Sequence, residues 1–165
     1  VLPKMKKGFY VDYDMKSWEV TAKNRYEWGS ASDVTLEWQL QAADDLIYLG
    51  MDQDDKVEWD ISRPLAFREL GDTVRQAIID TGDPPNEITY QDTVYYLEET
   101  GGGQFFKDNT GNGNDFIQWS YEDDTGKRYL TIEQWGEEEF AASLGSPVEE
   151  YEFHNILPSP DTGNR

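Results

Sequence analysis

Apolar side chains recur at every second residue through most of this chain, and a period of two predicts strands. Phe9, Val11 and Tyr13 alternate along one segment, and Trp18 and Val20 resume after the turn at 14–17, which predicts a hairpin. Leu36, Trp38 and Leu40 alternate with Glu37, Gln39 and Gln41, the signature of a half-buried strand. Polar turns at 42–45 and 53–56 then separate strands at 46–49 and 57–61. Beyond residue 87 the plan repeats. Ile88 and Tyr90 lead through a turn to 94–97, and 116–122 and 127–134 flank the turn Asp123-Asp124-Thr125-Gly126. Residues 140–144, a break at Gly145-Ser146-Pro147 and residues 148–153 predict a last strand pair. The period changes once. Leu70, Val74, Ala77 and Ile78 fall on one helical face before Thr81-Gly82 and Pro84-Pro85, which predicts a helix over 71–80 covering the sheet.

Two stretches also match each other at an offset of 81. Trp38 through Gln53 lies over Trp119 through Gln134, with Trp59 over Phe140. A shorter echo precedes them, with Val11, Tyr13, Trp18 and Val20 corresponding to Ile88, Tyr90, Tyr95 and Leu97. The expected fold class is mainly β (a β-rich α+β chain), with antiparallel sheets or a partly open barrel built from two similar halves. One domain is expected over 1–158, with pseudo-repeats at about 9–61 and 88–154, a connector at 62–87 and a flexible tail at 159–165.

Composition supports a folded body. Only 37% of residues are hydrophobic, but six Trp, ten Tyr and seven Phe supply large buried areas each. Thirty-four acids against fourteen Lys and Arg give a net charge of −20. Such a surface repels phosphate backbones and anionic headgroups, which argues against nucleic acid as a partner. No apolar run approaches the ~18 residues of a spanning helix, so direct membrane insertion by this segment is not expected. The absence of cysteine removes disulfides and thiolate chemistry. The cytoplasm is the expected compartment; a start at Val1 beside Lys4, Lys6 and Lys7 is also compatible with an upstream signal or anchor.

Several motifs taken in order carry a resemblance. They are the apolar-Tyr strand and Trp-x-Val of 11–20, Trp-x-Leu and Tyr-Leu-x-x-Asp of 38–52, Tyr-Leu-Thr-Ile-Glu-x-Trp of 129–135, and Ile-Leu-Pro at 156–158. Together the chain resembles the bacterial domain-of-unknown-function 4178 family, well represented in cyanobacteria. Asp14-Met15-Lys16-Ser17 stands where the family usually has a turn glycine, and the connector around 71–80 is longer than usual. The resemblance implies a β-rich fold and an accessory role, sometimes beside membrane proteins. It brings no cofactor and no catalytic residues.

Candidate chemistry is sparse. His154 is the single histidine, in an alternating segment that turns it outward if Phe153 is buried. Paired carboxylates invite a carbohydrate-active enzyme with Glu133 as the first candidate, although Asp52 occupies the corresponding place in the other repeat. Asp108, Asn112 and Asp115 sit in an Asn/Gly/Asp-rich loop that opens like a calcium loop but has Trp119 where the closing Glu belongs. No cofactor is expected, and a calcium- or glycan-binding module is the third reading. The aromatics weigh more. Tyr26 and Trp28 at a strand end, and Trp135 before an acidic run, are the expected contact residues for a protein partner with a basic patch. The sequence therefore points to a non-catalytic interaction or accessory domain.

Overall fold

The structure, a computed structural model, describes residues 1–29 and 33–159. The tail beyond Ser159, and residues 30–32 of the loop after Trp28, lie outside it. Among the described residues, eleven strands and one α-helix follow in order: β1 (Tyr10–Tyr13), β2 (Lys16–Glu27), β3 (Val34–Ala42), β4 (Asp45–Gln53), β5 (Val57–Leu65), α1 (Asp72–Thr81), β6 (Glu87–Tyr90), β7 (Thr93–Phe106), β8 (Asn114–Glu122), β9 (Tyr129–Gln134), β10 (Phe140–Val148) and β11 (His154–Leu157). The mainly β, antiparallel expectation holds. All the described strands join one sheet in the order β11-β1-β2-β3-β4-β5-β10-β9-β8-β7-β6.

The sheet bends until β2 meets β7. Arg25, Tyr26 and Glu27 pair with Phe106, Phe105 and Gln104, a short seam that draws eight strands into a partial ring rather than a regular barrel. One glycine makes the seam feasible. β7 runs straight through Gly101-Gly102-Gly103, and a Cβ at Gly103 would run into the Glu27 carbonyl oxygen.

Both apolar clusters lie on one face of this sheet. The first gathers Trp18, Val20, Trp38, Leu40, Ile47 and Leu49 under Leu2, Met5 and Phe153. The second gathers Trp119, Tyr121, Leu130 and Ile132 under Val74 and Ile78 of α1. Each cover also satisfies its tryptophan. The Trp38 indole donates to the Met5 carbonyl at 3.0 Å, and the Trp119 indole donates to Asp83 Oδ1 at 3.0 Å. Both indoles are fully buried, so a missing acceptor would be costly.

The halves share their pairing plan. A register irregularity at Val20/Ala22 of β2 recurs at Leu97/Glu99 of β7. Both first hairpins close on two residues in the left-handed region, Asp14 and Met15 at φ 50 and 64, Gln91 and Asp92 at φ 47 and 67. Across the joints between halves, Arg63 pairs with Leu144 and Glu27 pairs with Gln104.

Two local expectations change. Gly145-Ser146-Pro147 does not break a strand, because β10 continues through it to Val148. Gly145 is there for close approach, since a Cβ would come within 2.6 Å of the Ile61 carbonyl oxygen on β5. The second strand of the expected pair, at 148–153, does not form. A short 3-10 turn, Glu150–Glu152, leads instead into β11, which pairs with β1 at the far edge of the sheet.

Candidate functional site

The opposite face of the ring strands is polar, and it faces inward. Glu37 on β3 sits next to the outward Trp38, and the ladders carry its face onto Gly50, then Asp60. On the second half the same face holds Gln118 opposite Glu133. Glu37 and Glu133 are four strands apart either way round the ring. Yet the Tyr26 phenol lies against both carboxylates, so they approach each other across the interior.

Glu37 is the best-held member. Asn24 Nδ2 donates to its Oε1 at 3.0 Å and the Tyr26 hydroxyl donates to its Oε2 at 3.3 Å. Burial still raises its pKa, with these two hydrogen bonds opposing. Glu133 is pushed up to about 7, first by burial and then by the Glu37 charge, while Tyr26 pulls it back. Asp60 is pushed up to about 7 by burial, then by Asp52 and Glu37. Its carboxylate lies directly over Gly50, where a Cβ would come within 2.8 Å of Asp60 Oδ1. Asp52 is raised by burial against the hydrogen bond it accepts from Thr35. Tyr26 and Tyr48 titrate high, through burial and then the carboxylate charges.

Aromatic rings close one flank of the interior. Tyr26, Trp28, Phe105, Phe116 and Trp135 form one cluster, with Tyr26–Phe105 centroids at 4.8 Å, Trp28–Phe116 at 5.0 Å and Phe105–Trp135 at 5.2 Å. The three residues expected to meet a partner are thus brought together, but not as free anchors. Tyr26 is only 7% exposed and its hydroxyl is engaged by Glu37, which corrects the expectation that it stands at the surface. Trp28 and Trp135 are half-buried, and the Trp28 indole donates to Thr35 Oγ1 at 2.8 Å. Phe105 and Phe116 were missed. The glycine run just before Phe105 was the available signal, since small residues on a strand admit a neighbouring ring. Gly101 lies under Trp28, where a Cβ would be 3.6 Å from the indole.

A cavity of about 480 Å³ opens beside Trp28. Six carboxylates line it, including Asp52, Asp54, Glu58 and Glu99, against the single cation Lys56. That lysine is already paired with Glu58 at 3.7 Å. A second cavity of about 500 Å³ lies between Trp135 and the start of α1, floored by stacked Phe67 and Phe140 and carrying charges of both signs. Neither cavity is lined by Glu37 or Glu133.

The remaining candidates fall elsewhere. Glu133 pairs with Gln118 whereas Asp52 pairs with Thr35, so the two acids do not share a ladder position. The turn after Glu122 is longer than the one after Ala42, and the ungapped match slips there. Asp108 accepts a hydrogen bond from the Lys23 amide at 3.1 Å and pairs with Lys7 at 3.7 Å. Asp115 accepts from Gln104 at 3.1 Å. Their carboxylates turn to different protein groups, and no cluster of three or more His, Asp or Glu suited to a metal exists among the described residues. His154 is exposed beside buried Phe153.

Comparison with known proteins extends the likeness over most of the chain. A family model described as a domain of unknown function (DUF4178) matches residues 6–150. An uncharacterised protein of Aquifex aeolicus (strain VF5) is 26% identical over 157 residues, covering 95% of this chain and 85% of that protein. No solved structure matches.

Proposed function

The chain belongs to the DUF4178 family, and from that premise we propose that it is a non-catalytic interaction module for a basic protein partner. Lys or Arg side chains of the partner enter the acidic cavity beside Trp28. The observation that carries this reading is the lining itself: six carboxylates against one lysine, next to a tryptophan whose π-face also favours cations. A net charge of −20 adds long-range attraction to the local one.

The enzyme reading is less well supported. Glu133 has the raised pKa of a general acid, but neither it nor Glu37 lines either of the two cavities described above. The test begins with affinity purification from the native cell, followed by association kinetics on the protein that co-purifies. Raising ionic strength should slow association, and Asp54→Lys with Glu58→Lys should slow it further at low salt. An association rate indifferent to both would sink the reading.

A further inference from the structure

The two halves differ at their edges in one instructive respect. On β1 the backbone groups of Tyr10 and Asp12 face away from β2 and pair with β11, at Leu157 and His154. The matching strand of the second half is β6, where Glu87 and Thr89 hold the equivalent positions opposite β7. Hydrogen-bonded pairs alternate along an antiparallel ladder. The Leu97 amide bonds the Asn86 carbonyl at 2.8 Å, so Ile88 and Tyr90 turn their backbone groups to β7, and Glu87 and Thr89 turn theirs outward. β6 is the last strand of the sheet, and among the described residues nothing pairs with that outer edge. The fold thus covers one of two matching edges with a four-residue strand and leaves the other open.

We propose that the outer edge of β6 is a docking site for an extended, basic segment of a partner protein, which adds an antiparallel strand at Glu87 and Thr89. The chain itself shows that a strand of this length suffices, because β1, also four residues long, holds β11 in that manner. Charge selects the occupant. Glu87 and Thr89 are both exposed, and Glu69 lies close by, accepting a hydrogen bond from the Tyr90 hydroxyl at 3.2 Å. A second copy would bring another −20 to the same edge and set Glu87 against an equally acidic neighbour. A strand bearing lysines meets neither obstacle. The inference rests on the proposed function only for the sign of the partner's charge.

The probe is an acetylated, amidated hexapeptide of alternating isoleucine and lysine, followed by amide exchange on the full chain. Saturation should slow exchange at Glu87 and Thr89 by about tenfold or more, the effect of new backbone hydrogen bonds. Thr89→Pro removes an outward donor without touching the β7 ladder, and should weaken the peptide about tenfold. The same peptide N-methylated at alternate residues should bind the unaltered protein about tenfold more weakly, which decides the matter if the proline variant does not fold. Protection confined to the residues around Asp54 and Glu58 would overturn the edge site, as would equal affinity for the methylated peptide. Glu58→Lys separates the two sites: it should spare protection at Glu87 and Thr89 even where it abolishes capture of the natural partner.

Discussion

Replacing Asp60 with Asn should make the protein more stable at pH 8 and leave its stability at pH 4 nearly unchanged. Asp60 lies inside the ring over Gly50, with Asp52 and Glu37 as charged neighbours, and its pKa is pushed up from 3.8 to about 7. In the unfolded chain the same group returns to the ordinary carboxylate value. Below about pH 4 both states hold the proton, and the group contributes no pH dependence. Between that point and about 7 the unfolded state releases its proton first, so stability falls as pH rises. A shift of about three units at about 1.4 kcal/mol each gives on the order of 4 kcal/mol. Polarisable surroundings inside the ring reduce this to about 2–4 kcal/mol at pH 8. Asn keeps the shape and cannot ionise, so it should recover most of that amount. Urea unfolding of both proteins at pH 4, 6 and 8 measures the difference directly. A gain that is the same at every pH, or a loss at pH 8, would refute the assignment of a strained interior carboxylate.

Met15→Gly should stabilise the protein by about 1 kcal/mol, because Met15 holds φ at 64 in a two-residue turn and is fully exposed, so no packing is lost. Thermal unfolding checks this, and an unchanged or lower midpoint would count against it. We also infer that the halves descend from one duplicated unit. The self-matching joints support it: Arg63 pairs with Leu144, its counterpart at offset 81, and Glu27 with Gln104 at the offset of 77 that relates Val11 to Ile88. Sequences of relatives should align the two halves at these offsets, and similarity no better than between shuffled strands would remove the inference.

Alternation along the chain is a local property, and what depends on it could be read in advance. The strands around Trp38 and Trp119 follow from it, and so does α1, which starts and ends one residue later than its apolar stripe predicts. The seam between β2 and β7 could not be read, since it joins residues about eighty positions apart beside Gly103, whose lack of a side chain leaves room for Glu27. Missing the seam meant missing the site. Glu37 and Glu133 come together only because the ring closes, and among thirty-four acids no spacing marks that pair. The aromatic residues were the opposite case. Tyr26 and Trp28 were singled out at a strand end and Trp135 before an acidic run, and the structure packs all three into one cluster with Phe105 and Phe116.

The placement of the two apolar clusters on the outer face has a consequence for how this architecture can vary. Each is roofed by its own piece of chain, the segment around Leu2 and Met5 on one side and α1 on the other. A substitution in one roof is felt by the strands beneath it and hardly at all across the ring. Exchanged roofs should therefore be tolerable in descendants of this chain where the new segment still covers the apolar cluster and accepts the indole N–H, so long as the acid-lined hollow stays as it is.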